Sequence, residues 1–204
     1  MTTTLEDYLH RIYPMLCKTP IKPTIFYETT TKNIYFEIAD NKGLGICSLA
    51  QGDAYFYNPK CLNVYIINFE RYINNFKPNT VAGKGKKCDF ILASAEDCSF
   101  IVLTELTRSD KKYVAKKGET ALEQFRDSIE KLSKDENFLK QFQKHIALYS
   151  CRLSSTSSPS SSPAVQGIAR FNKPTLLIAN ISQTKVLTQD FRFEQRIYPN
   201  PYTL

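Results

Sequence analysis

The sequence has no apolar run approaching the ~20 residues that a membrane-spanning helix needs, so no membrane partner is expected. Its opening stretch, MTTTLEDYLHRIYPML, carries Glu6 and Asp7 and lacks a basic segment leading into an apolar one. A secretory signal is therefore not expected, and a cytoplasmic location is. Six cysteines, at positions 17, 47, 61, 88, 98 and 151, include no CxxC pair, and the two histidines, His10 and His145, stand far apart. A structural zinc centre wants clustered Cys and His ligands, which this spacing does not offer. Reduced thiols are expected rather than a disulfide framework.

What is present suits one domain. The chain has 204 residues, and 13 Phe and 12 Tyr give material for a hydrophobic core, which argues against wholesale disorder. A formal charge of +7 permits a polyanionic partner but is equally consistent with plain solubility. Its distribution says more. Lys84, Lys86, Lys87, Arg108, Lys111, Lys112, Lys116 and Lys117 flank a short segment that holds only Asp89, Glu96, Asp97, Glu105 and Asp110 as acids.

Leu5, Leu9, Ile12 and Leu16 recur at helical spacing, with Pro14 marking an end or kink. Residues 24–57 alternate like strands and read as an antiparallel hairpin, IYFEIAD against DAYFYN. Residues 61–73 read as a further strand. CDFILAS (88–94) and SFIVLTELT (99–107) are buried-strand candidates, separated by the acidic turn AEDC. GETALEQFRDSIEKLSKD is an amphipathic helix with Leu122, Phe125, Ile129 and Leu132 on one stripe. A second helical stretch is expected through NFLKQFQKHIALYS (137–150). SSTSSPSSSP (154–163) reads as a disordered, mobile Ser/Pro loop, PTLLIANIS (174–182) as a last strand, and FRFEQRIYPNPYTL as a Pro-rich tail. These readings divide the domain into an N-terminal helix and hairpin (1–60), a core (61–182) and a C-terminal tail (183–204). The expected fold is α/β, a mixed central sheet flanked by the 118–133 helix and the N-terminal helix.

Asp89 begins one strand and Glu105, sixteen positions on, ends the next. If those strands are neighbours, both carboxylates reach the same end of the sheet and make a hard-oxygen site suited to Mg²⁺ or Mn²⁺. Such an ion polarises a phosphodiester and lowers the pKa of a bound water. Taken alone, Asp89 reads more simply as an ion pair with Lys86 or Lys87. Glu105, after an apolar run, is harder to explain that way, because a buried carboxylate is costly unless bound.

The segments KKCDFIL, FIVLTELT and GETALEQFRDSIEKL together resemble the core of the PD-(D/E)XK, or restriction-endonuclease-like, nuclease superfamily. The resemblance is to members of the form KCDF, ELK and AxEQxxxSI. It implies a restriction-endonuclease-like core, Asp89 and Glu105 as metal ligands, Gln124 as the assisting helix glutamine, and DNA or RNA as substrate. Bacterial or phage defence is the setting the family suggests. One position departs from the pattern. The family places lysine two residues after the glutamate, where this chain has Thr107. Losing one electrostatic contact of that kind commonly costs a factor of about a hundred to a thousand in rate. Strand alternation would turn Arg108 to the opposite face, so Lys111 and Lys112 are the expected substitutes. The surrounding basic residues, Lys84, Lys86, Lys87, Arg108, Lys116 and Lys117, read either as a solvated surface or as a phosphate-contacting lip. Glu28, Glu37 and Glu70 are further candidate ligands. Thr107 supports a rival reading: a catalytically inactive relative that serves as a nucleic-acid-binding or structural subunit of a multi-subunit complex, with a protein partner. A third is an unrelated α/β interaction domain.

Overall fold

The computed structural model describes residues 3–18, 27–39, 45–154 and 187–204. Apart from Ser154, the Ser/Pro loop expected over 154–163 lies outside these residues, as does the strand expected over 174–182.

The N-terminal helix forms as expected. It runs through α1 (Leu5–Asp7), a π-helical stretch (Tyr8–Ile12) and α2 (Tyr13–Leu16). Thr4 caps it by accepting the Asp7 amide at 3.1 Å, and Glu6 and Asp7 complement the dipole of its first turn. Leu5, Tyr8, Leu9 and Tyr13 are buried, and the Tyr8 hydroxyl donates to the Leu132 carbonyl at 2.9 Å.

Among the described residues, six strands make the main sheet in the order β1-β5-β6-β7-β8-β9: Glu28–Thr31, Val64–Asn68, Phe90–Ser94, Ile101–Ser109, His145–Leu153 and Arg192–Ile197. From β1 to β7 the neighbours are antiparallel, while β7, β8 and β9 run parallel. The connection from β7 to β8 carries α4 (Val114–Leu132), as a parallel pair requires a crossover. Ala121, Leu122, Phe125, Ile129 and Leu132 of α4 join the N-terminal helix and α3 (Phe69–Asn74) in one core against the sheet.

The other face of the sheet is covered by a second sheet, which corrects the expectation of helices on both sides. Its order is β10-β4-β2-β3: Tyr202–Thr203, Ala54–Tyr57, Tyr35–Ile38 and Ile46–Cys47. The expected β2–β4 hairpin pairing is present, Phe36 opposite Phe56, and these two rings stack 5.1 Å apart in the core between the sheets.

Three local expectations are corrected as well. Residues 61–73 hold β5 and then α3, because the Asn68 side chain accepts the Arg71 amide at 2.9 Å and caps a helix there. The helix expected over 137–150 is a short 3₁₀ turn, Leu139–Gln141, followed by the fully paired strand β8. A strand buried on both faces reads as a continuous apolar run, which periodicity cannot separate from a buried helix. The C-terminal tail is structural, with β9 pairing β8 and β10 pairing β4.

Candidate functional site

Alternation sorts the side chains of β6 and β7. Ile91, Ala93, Ile101 and Leu103 enter the helix-side core, whereas Phe90, Leu92, Phe100, Val102 and Leu106 lie between the sheets. Asp89, Glu105 and Thr107 therefore belong to the face that α4 covers. Phe90 pairs with Thr104, so Asp89, one step before β6, stands opposite Glu105. Asp89 and Glu105 thus share one face of the sheet.

Asp89 is only 8 % exposed, and its Oδ2 accepts the Leu106 amide at 2.7 Å. Its carbonyl accepts the Phe69 amide at 2.8 Å and the Glu70 amide at 3.3 Å, which anchors the start of α3 beside it. Glu105 Oε1 accepts a hydrogen bond from Gln124 Nε2 at 2.8 Å, but its Oε2 is buried with no hydrogen-bond partner among the described residues. Burial, reinforced by the Asp89 charge and more weakly by Glu70, pushes the Glu105 carboxyl up to about 9. Gln124 and the Asp89 amide pull it partly back. An orphaned carboxylate oxygen next to a second carboxylate is costly in a metal-free protein and is the donor set a hard divalent cation takes. The residues fit Mg²⁺ or Mn²⁺.

α4 is fastened directly to the chain that leads into β6. Gln124 Nε2 also donates to the Lys87 carbonyl at 3.2 Å. Ser128 Oγ accepts the Cys88 amide at 2.8 Å and donates to the Gln124 carbonyl at 2.7 Å. Asp127 accepts the Lys86 amide at 2.7 Å. Gln124 thus orients Glu105 from a helix whose position is fixed by its own neighbours.

Thr107 is not alone. Its Oγ1 accepts from Lys117 Nζ at 3.2 Å, and the same ammonium donates to the Arg108 carbonyl at 3.0 Å. Arg108 turns to the opposite face, as alternation requires, and pairs with Asp53 at 2.5 Å. Lys111 lies in the 3₁₀ turn Lys111–Tyr113, and the Lys112 ammonium sits 4.8 Å from the centre of the Tyr113 ring. Among the other basic residues, Lys84 and Lys116 are exposed, Lys86 forms an ion pair with Glu123, and Lys87 Nζ donates to Asn74 at 2.6 Å.

Of the further acids, Glu70 alone adjoins the pair. Glu37 is fully buried and accepts from the Gly52 amide at 2.8 Å and the Tyr198 hydroxyl at 3.0 Å, a structural role in the second sheet. Glu28 pairs with His10 at 2.9 Å and accepts the Tyr65 hydroxyl. Glu6, His10 and Glu28 bring ligand atoms within 4.8 Å of one another, a grouping that sequence reasoning missed. The i, i+4 spacing of Glu6 and His10 on one helix was its only local signal. His145 is held by the Gln189 and Leu139 carbonyls and plays a packing part. All six cysteines are thiols outside any disulfide, and no helix among the described residues is long and apolar enough to cross a membrane.

No family model, curated protein or solved structure matches this chain.

Proposed function

We propose that the chain is a divalent-metal-dependent, nuclease-like protein with a restriction-endonuclease-like core, acting on DNA or RNA. The observation that carries the reading is the Glu105 Oε2, unpartnered among the described residues, beside Asp89 on the sheet face beneath Gln124. The order of elements agrees with it: antiparallel strands bearing the two acids, then an amphipathic helix, then a strand parallel to the second. Asp89 and Glu105 would hold Mg²⁺ or Mn²⁺, with Glu70 the nearest further carboxylate. When bound, the ion supplies Lewis-acid polarisation of a phosphodiester and a more acidic water. Gln124 holds Glu105 in register by donating to Oε1, and Asp89 is held by the Leu106 amide. Lys84, Lys87 and Lys116 offer cationic contacts for a phosphate backbone.

The rival reading, an inactive nucleic-acid-binding subunit, draws on Thr107. A cleavage assay separates the two. Purified protein with Mn²⁺ is expected to cut labelled DNA or RNA, and Asp89→Ala and Glu105→Ala to abolish the cut. Salt-dependent binding without any cleavage would favour the inactive subunit.

A further inference from the structure

We infer that Lys117, projecting from the first turn of α4, supplies the catalytic cation that Thr107 cannot. The inference rests on the metal-dependent reading of Asp89 and Glu105.

Two ladders of residues match across the helix–sheet contact. On β7, Glu105 and Thr107 are two positions apart on one face, about 7 Å along the strand. On α4, Lys117, Ala121, Gln124 and Ser128 fall on one stripe, and Lys117 precedes Gln124 by two turns, about 10 Å. Gln124 lies over Glu105 and Lys117 over Thr107, so the helix runs back along the strand. The lysine's flexible four-carbon stem covers the difference in spacing. The ammonium therefore sits at the strand position from which a lysine at 107 would project.

The start of α4 is held in place independently of Lys117. The Tyr149 hydroxyl donates to the Val114 carbonyl at 3.3 Å, and Tyr149 is the β8 residue paired with Glu105. Lys117 is thus carried on a helix docked over the acidic pair.

Helix stability does not explain this lysine. Cations are unfavourable at a helix N-terminus, yet the first turn of α4 has no acid and Tyr113 provides no side-chain cap. Lys116, its neighbour, is exposed and has no comparable contact with β7 among the hydrogen bonds described above. Lys117 remains solvent-accessible, so a substrate phosphate can displace Thr107 and the Arg108 carbonyl as its partner.

The test uses the full chain, Mn²⁺ and labelled single- and double-stranded DNA and RNA. Lys117→Ala is expected to slow cleavage by about a hundred- to a thousandfold. Adding Thr107→Lys to that variant should recover about tenfold or more, because the charge returns from the strand. Binding gives a readout apart from activity. With Ca²⁺ replacing Mn²⁺, fluorescence anisotropy should show the slope of log affinity against log salt falling by about one in Lys117→Ala. Wild-type rate in Lys117→Ala, while Asp89→Ala and Glu105→Ala are dead, overturns the inference and leaves the metal centre standing. No recovery in the double variant, with its fold intact by circular dichroism, also overturns it. A wild type inert on every substrate overturns both readings together.

Discussion

Replacing Glu105 with glutamine removes a carboxyl that the metal-free protein can ionise only at a loss, and the loss has a definite pH signature. The Glu105 carboxyl is raised from an ordinary 4.5 to about 9, first by burial and then by Asp89. A carboxyl whose folded pKa lies above its unfolded value binds a proton more tightly in the native state. Its favourable contribution is intact below about pH 4.5, declines as pH rises, and levels off above about pH 9. At pH 7 the unfolded chain has released a proton that the folded chain retains. Two and a half pH units at ~1.4 kcal/mol each put the penalty at about 3 kcal/mol. Glutamine keeps the acceptor for Gln124 and never ionises. In EDTA, Glu105→Gln should therefore match wild type near pH 4.5 and exceed it by about 3 kcal/mol at pH 7, or roughly 6–12 °C in Tm for a chain of this size. Urea unfolding across that pH range measures the difference. Divalent metal should close the gap by stabilising wild type alone, by about 2.7 kcal/mol at a hundred times Kd. A stability difference that is the same at pH 4.5 and pH 7 would mean that folding does not raise the pKa of Glu105.

Ser128→Ala strips the buried Cys88 amide of its acceptor, and urea unfolding should show a loss of about 1–3 kcal/mol together with weaker Mn²⁺ binding. Asn68→Ala removes the cap of α3, whose first amides hold the Asp89 carbonyl. It should cost about 1 kcal/mol in the same measurement. A variant as stable as wild type would mean that the amides of α3 are satisfied without the cap.

The part of the fold that carries the site was legible because its cues are local. The short turn between CDFILAS and SFIVLTELT sets the register, so the spacing of Asp89 and Glu105 already places them opposite each other. The apolar stripe of α4 likewise declares its buried face. The apolar spacing predicts the helix from Gly118, however, whereas it begins at Val114. A start at Gly118 puts Lys117 in a loop and hides its alignment with Gln124. Nothing at the helix start advertised it, because no Ser, Thr, Asp or Asn caps that end.

Non-local pairing was the least legible. FRFEQRI alternates, with Phe191 and Phe193 buried, but the prolines at 199 and 201 made the segment read as a tail rather than as β9. The second sheet assembles β10 with β4 from opposite ends of the chain, so no window of sequence contains the contact. Glu6, His10 and Glu28 meet for the same reason, across the gap between a helix and an edge strand.

The most direct measurement is a calorimetric titration of Mn²⁺ into metal-free wild type, Asp89→Ala, Glu105→Ala and Glu28→Ala. Binding is expected in wild type and in Glu28→Ala, and its loss in both Asp89→Ala and Glu105→Ala. Binding retained by the Asp89 and Glu105 variants but lost from Glu28→Ala would place the ion at the His10 cluster and contradict the proposed site at Asp89 and Glu105.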